Sequence, residues 1–474
     1  MCGIVGIYDA GGEVSYKIYY ALYALQHRGQ ESAGITTFDG DKLHTFKDQG
    51  LVSDVFNSEI LKDLIGNSGI GHVRYPTTGE KIIENIQPFP FTFRGINIGI
   101  VHNGNLTNSS KLREEFEERG QIFSTTTDTE VIGNVLADEL RETKSIEDAV
   151  LSCMKKVQGS YSVVLSFNEK IYAFRDPLGI RPLCIGKIGE GYITCSESVA
   201  IDALNGEFIR DVKPGELICI SKSGIEHTQI AESTGYGHCV FEYIYFARAD
   251  SIIDGKLVYD VRRKIGQALH LEAPVEAELV SPVPDSGIAH AIGYSESSGI
   301  PYREGLMKNR YMGRTFIMST QQDRENAVRI KLNPVRGHVD GKAIVLVDDS
   351  IVRGTTSFRI IELIKDTGAR EVHMRVGSPP IKAPCYLGVD MPTREELVAS
   401  DKSNEEVRER IGATSLHHVS IDALVKATGF ESGDLCLGCL NGEYPLDING
   451  EKACPRQIDY IAGTYQSNIG EFKD

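Results

Sequence analysis

Three groups of residues in this chain have the types and spacing to do chemistry. The first is Cys2, directly after Met1. Methionine is normally trimmed when a small residue follows, so the mature chain is expected to begin at Cys2. A terminal cysteine carries its own base: a free α-amine titrates near ~7.7–8.0, so a useful fraction is neutral at pH 7 and can accept the thiol proton. The second group is Asp348-Asp349, followed by Ser350-Ile-Val-Arg353-Gly354-Thr355-Thr356. Adjacent carboxylates suit the hydroxyls of a ribose and a hard cation such as Mg2+, and a hydroxyl-rich turn before a helix offers its amides to a phosphate. The third group is four thiols, Cys239, Cys385, Cys436 and Cys439, the last two spaced as CxxC. Two thiolates so spaced can grip one metal ion or one corner of a cluster, and two more complete four sulfur ligands. Each group also has a plain reading: a small residue in a first strand, solvated acids on a βα turn, and unconnected core thiols.

The elements that must position these residues are legible around them. Ala343 to Val347 is a run of five apolar residues, three of them β-branched, which reads as a fully buried strand of a parallel sheet. It leaves Asp348 and Asp349 at the carboxyl end, where open α/β sheets bind ligands. Gly354 lets the backbone approach a ligand, and Ser357 is read as the cap of a helix from Phe358 to Thr367 that Gly368 ends. Val258 to Leu271 reads as a helix, and a strand over 278–283 leads to Pro284-Asp285-Ser286-Gly287, where Ser286 could add an oxygen ligand to the cation. Between these turns lie Lys308, Arg310, Arg314, Arg324, Arg329 and Lys331. From charge alone they are a solvated face; their place between two ligand-binding turns favours a mobile basic lid.

In the first half, a helical stretch over 16–26 ends at His27-Arg28-Gly29-Gln30-Glu31-Ser32. Arg74 offers a guanidinium that can hold a carboxylate by two parallel bonds. A strand over 96–101 runs into His102-Asn103-Gly104-Asn105, where an Asn side chain and a Gly amide can form an oxyanion hole. Thr125 to Glu130 caps a further helix and places Asp128 where it can bind an ammonium group. Singly these are ordinary features: a turn, a surface charge and a cap.

The length of 474 residues argues for two or three domains with a large core. The net charge of -16 speaks against nucleic-acid or acidic-membrane partners, so an anionic substrate needs local basic residues. No apolar run reaches the length of a membrane span, and the start lacks the pattern of a signal peptide. The cytoplasm is the expected compartment, where the ten cysteines favour metal or catalytic roles over disulfides. Cys153, Cys184, Cys195, Cys219 and Cys454, set among apolar or strand-like neighbours, read as structural.

Taken in order, Cys2, Arg74, His102-Asn-Gly-Asn105, Asp128 and Arg175-Asp-Pro-Leu-Gly-Ile-Arg-Pro-Leu183 resemble the glutaminase domain of class II amidotransferases over roughly residues 2–230. VDDSIVRGTT resembles the phosphoribosylpyrophosphate (PRPP) signature of type I phosphoribosyltransferases. Their pairing resembles the PRPP-dependent glutamine amidotransferases, the family that opens purine nucleotide synthesis. That resemblance implies an α+β N-terminal-nucleophile (Ntn) hydrolase domain of four layers over 2–233, then an α/β type I phosphoribosyltransferase domain over 234–474. It implies Cys2 as nucleophile, Asn103 and Gly104 as the oxyanion site, and Arg74 and Asp128 as holders of the glutamine carboxylate and amine. PRPP falls to Asp348, Asp349, Ser350, Arg353, Gly354, Thr355, Thr356 and Lys331, with Mg2+ on Ser286, Asp348 and Asp349. One subset of the family carries a [4Fe-4S] cluster with this order of cysteines; zinc is the second reading of Cys239, Cys385, Cys436 and Cys439. A homotetramer inhibited by purine nucleotides is also what the family implies. Ala249 stands where the family's ARPDS run has a proline.

Two rivals share part of this pattern. Asparagine or glucosamine-phosphate synthases would share only the first half, and VDDSIVRGTT argues against both. A non-enzymatic PRPP sensor would need no terminal cysteine and would carry a basic DNA-binding module, of which the sequence shows no sign.

Overall fold

The computed structural model describes residues 1–75, 82–143, 145–309, 332–391, 393–448, 451 and 458–460. Strict alternation of apolar side chains builds the first half. In strand β1 (Gly3–Tyr8), Val5 and Ile7 enter a core shared with the helix Val14–Ala24, while Ile4 and Tyr8 enter a core between two sheets. The helix buries Val14, Ile18, Ala21 and Leu22, one stripe of its surface. It begins two residues before the stretch read from sequence and passes into a 3-10 turn at Gln26–Arg28.

β1 sits within a seven-stranded antiparallel sheet that also contains β2 (Ser32–Phe38), β3 (Leu43–Gln49), β4 (Ser68–Arg74), β9 (Cys184–Ile188), β10 (Gly191–Cys195) and β11 (Glu207–Asp211). Its order is β11-β9-β10-β1-β4-β2-β3. The facing antiparallel sheet contains β5 (Phe89–Phe93), β6 (Ile96–Leu106), β7 (Gly159–Phe167), β8 (Lys170–Arg175), β12 (Glu216–Ser221) and β13 (Gly224–Gln229), in the order β13-β12-β8-β7-β6-β5. Helices Asp128–Glu142 and Ile146–Lys156 cover its outer side through Val131, Val135, Val150 and Met154. Helix, sheet, sheet and helix make the four layers expected.

The second half is a parallel sheet of Leu279–Pro282, Ala343–Asp348, Glu371–Val376 and Ser415–His418, in that order. The strand Ala343–Asp348 is buried on both faces, as its run of β-branched residues requires. Val345 and Val347 meet the side holding helices Val258–Glu272 and Ile288–Ser298, whereas Ile344 and Leu346 meet Ile360, Ile361 and Ile364 of helix Thr355–Asp366. The expected boundary between 233 and 234 lies at the end of the short strand Ala231–Ser233, which pairs with Ile458–Tyr460. The last described segment thus returns to the first half, a long-range pairing that nothing local announces. No described helix is long and apolar enough to cross a membrane.

Two histidines are sealed inside the second half. Burial pushes His290 down to about 3 and His418 down to about 4. The unfolded chain binds a proton on each near pH ~6.5. Their contribution to stability is therefore full above pH ~6.5 and is lost as pH falls toward the folded values. The expected result is a urea midpoint that drops between about pH 7 and about pH 4.5, with a smaller drop in His290→Gln. An equal drop in that variant would show that His290 is not a source of the acid lability.

Candidate active site

The start of β1 places Cys2 against the end of β6. The Cys2 amide donates to Asn103 Oδ1 at 3.1 Å, Arg28 Nε donates to the Cys2 carbonyl at 2.9 Å, and the thiol lies 3.7 Å from the Tyr75 carbonyl. Asn103 is fully buried, and its Nδ2 has no hydrogen-bond partner among the described residues. An unsatisfied buried donor is costly unless a ligand uses it, so this amide beside a thiol fits an oxyanion role. The Met1 α-amine is likewise buried, which pushes it down to about 5.

The pairing of Gly3 with Val73 brings Arg74, at the end of β4, beside this point. Arg74 is buried, and its guanidinium lies 3.6 Å from Glu31. Asp128 opens the helix Asp128–Glu142 and accepts from the Leu106 amide at 3.0 Å. Burial alone would raise its carboxyl, but His102 at 3.6 Å and the Leu106 amide hold it below its usual range. Arg74 and Asp128 are therefore a cation and an anion near Cys2 and Asn103, as an α-amino acid needs.

Sequence reasoning missed the charges behind Cys2. Arg28 meets Glu242 at 2.7 and 3.0 Å and also Glu197, all three being buried. Burial would raise the Glu197 carboxyl, but His27 and Arg28 hold it far below the carboxylate range. The available signal was Glu242 itself, a lone acid in Val-Phe-Glu-Tyr-Ile-Tyr-Phe, since a charge inside an apolar run needs a partner.

At the second site, Asp348 and Asp349 are buried at the end of their strand. The Asp349 amide donates to Asp348 Oδ1 at 2.9 Å, and Asp349 also receives hydrogen bonds from the hydroxyls of Ser350 and Ser286. Burial pushes both carboxyls up, Asp348 further because of the neighbouring Asp349 charge. Such a pair fits a divalent cation, whose charge reverses that shift. Arg262, from helix Val258–Glu272, lies near enough to act on Asp349.

The expected cap is corrected here. Helix Thr355–Asp366 starts three residues earlier than read, from Gly354 at φ 77°, and Ser357 is buried in its first turn with no capping role. A residue with no Cβ takes this left-handed corner at little cost, which frees the exposed Thr355 and Thr356 to face a phosphate at the helix start. Arg353 stands at the rim, donating to Glu396 at 2.7 Å. Lys308 pairs with Asp285, while Arg310, Arg314, Arg324, Arg329 and Lys331 of the expected lid lie outside the described residues.

The four thiols come from three segments. Cys239 and Cys436 are register partners in a two-residue parallel pair. The Cys439 carbonyl accepts from the Lys382 and Ala383 amides at 2.9 and 3.2 Å, which carries Cys385 to the same place. Burial, then the charges of Cys385, Cys436 and Cys239, push the Cys439 thiol up. Burial also raises Cys239 to about 11 and Cys436 to about 12. Among the described residues, no three His, Cys, Asp or Glu side chains are close enough to hold one metal ion. Four thiolates suit a tetrahedral zinc and a four-iron cube alike. Cys153, Cys184, Cys195 and Cys219 are buried, and Cys454 is outside the described residues.

Residues 75–203 match the family model described as a glutamine amidotransferase domain. The amidophosphoribosyltransferase of Methanothermobacter thermautotrophicus is 54% identical over 94% of this chain and 95% of its own length. That of Methanocaldococcus jannaschii is 50% identical over 96% of this chain and 100% of its own. The solved glutamine PRPP amidotransferase of B. subtilis, complexed with ADP and GMP, is similar with a TM-score of 0.88 and 42% identity, covering 95% of this chain and 98% of that one. With both half-sites in place and relatives matched nearly end to end, this chain belongs to the amidophosphoribosyltransferase family.

Proposed function

We propose a division of labour for the family's reaction, in which PRPP, glutamine and water give 5-phosphoribosylamine, glutamate and pyrophosphate at the first step of purine biosynthesis. Once Met1 is removed, the Cys2 amine takes the thiol proton and the thiolate attacks the glutamine amide. Arg74 and Asp128 hold the substrate's carboxylate and ammonium groups, and the Asn103 amide and Gly104 face the developing oxyanion. Ammonia leaves, and water hydrolyses the thioester. In the second half, Asp348 and Asp349 orient the ribose hydroxyls while Ser350 and Gly354 to Thr356 cradle the 5′-phosphate, so that ammonia displaces pyrophosphate from C1. Mg2+ held by Ser286, Asp348 and Asp349 would neutralise charge on the departing pyrophosphate. Because free ammonia is mostly protonated at neutral pH, it must pass between the sites without meeting bulk water.

The observation that carries this reading is the unspent Asn103 donor beside Cys2, in one chain with a buried acid pair at a phosphate-sized turn. Supplied with glutamine, PRPP and Mg2+, the purified chain should release glutamate and pyrophosphate one for one. Pyrophosphate without glutamate, or glutamate alone, would overturn it. The ADP and GMP in the B. subtilis complex support purine nucleotides as inhibitors here. A homotetramer in the cytoplasm completes the reading.

Cys239, Cys385, Cys436 and Cys439 would hold a [4Fe-4S] cluster that ties three segments together. Protein made without oxygen should be brown, with broad absorption near ~400 nm. Cys436→Ser should lose the colour and much of its thermal stability, because binding of the group is folding free energy. Colourless, fully active protein with one zinc per chain would decide for zinc.

A further inference from the structure

Besides Glu242, the second half reaches the amide-hydrolysis site through the loop Cys385-Tyr386-Leu387-Gly388. The Leu387 carbonyl accepts from Ser160 Oγ at 2.8 Å, from Arg181 Nε at 2.9 Å and from a second Arg181 nitrogen. The Tyr386 carbonyl accepts from Asn105 Nδ2 at 2.8 Å. Ser160 and Arg181 are fully buried, so these bonds are made away from solvent. Asn105 and Ser160 are register partners on β6 and β7, and both flank Gly104.

Gly388 is the point of contact. Its φ is 92°, and a Cβ there would lie 2.9 Å from the Gly104 carbonyl carbon, 3.0 Å from its oxygen and 3.1 Å from its Cα. On the other side, a Cβ on Gly104 itself would lie 2.0 Å from the Ser160 carbonyl oxygen. Gly104 is therefore packed between a strand of its own sheet and a loop more than half the chain away. The loop is held from behind as well, since the Leu387 amide donates to Cys385 Sγ at 3.4 Å.

We infer that the loop Tyr386–Gly388 is a positioning element of the glutaminase: the phosphoribosyltransferase half sets the place of Gly104, and with it the oxyanion site. This rests on the assignment of Asn103 and Gly104 above. An oxyanion donor displaced by a few tenths of an ångström loses most of its effect on the transition state while leaving the thiol reactive and substrate binding largely intact. That separation distinguishes positioning from a general loss of fold.

The test uses the full chain with PRPP and Mg2+ present. In Gly388→Ala, kcat for glutamine hydrolysis should fall about 10²–10³-fold, the loss of one oxyanion donor, with KM changed only about twofold. Alkylation of Cys2 by iodoacetamide and synthesis from ammonium chloride should keep their wild-type rates. Ser160→Ala, which removes one bond to Leu387 without adding bulk, should lower kcat about tenfold with the same split. Wild-type kcat in Gly388→Ala overturns the inference. If Gly388→Ala loses alkylation and ammonia-dependent synthesis as well, Ser160→Ala decides, and wild-type kcat there overturns it. Glutamine turnover surviving in Cys2→Ala would instead overturn the nucleophile assignment beneath it.

Discussion

Cys2→Ala is expected to abolish glutamine-dependent formation of phosphoribosylamine, lowering it by at least about 10⁴-fold, as loss of a covalent nucleophile does. Synthesis from ammonium chloride near pH ~9, where more of the ammonia is unprotonated, should remain within about twofold of wild type. The substitution removes one sulfur and leaves the backbone bonds to Asn103 and Arg28 in place. The acid pair and its turn lie on another sheet and are untouched. Measuring glutamate and pyrophosphate release in parallel separates the two half-reactions. Retained glutamate release would sink the nucleophile assignment; loss of the ammonia-dependent reaction would show that the halves cannot work apart.

The second large effect is expected from Asp348→Asn combined with Asp349→Asn. Ribosyl transfer should fall by at least about 10³-fold, because the cation site and the ribose contacts go together. Basal glutaminase should survive. The stability readout has the opposite sign. Burial and the adjacent like charge disfavour both carboxylates, so amides of nearly the same shape should raise the thermal midpoint of the ligand-free protein. A rise in midpoint with loss of pyrophosphate release is the signature of residues kept for function rather than fold. Pyrophosphate release at the wild-type rate would remove the pair from the mechanism. A fall in midpoint would mean that the amides lose more in hydrogen bonds than the charges cost.

Placement that depends only on neighbours in sequence was legible before any coordinates. Cys2 at the start, Asn103-Gly104 at a strand end, Asp348-Asp349 before a turn and Cys436–Cys439 each bring their partners along, because a few residues of backbone fix their spacing. The Ser357 cap failed for an equally local reason. Gly354 can enter a helix from the left-handed region without a side-chain cap, and the serine and threonines nearby made the later start look sufficient.

The sequence by itself determined the residue types and the elements flanking each site, the strand buried on two faces among them, since periods of two and of 3.6 are properties of the local chain. Tertiary structure alone decided which distant groups meet. Arg28 and Glu242 stand 214 positions apart, and Ser160 and Leu387 227 apart, yet each pair is in hydrogen-bond contact within the buried junction. A buried charge demands some partner, and a bare carbonyl demands some donor, but neither demand names a residue. Close packing of the two halves does that, by leaving one geometry in which these particular groups meet.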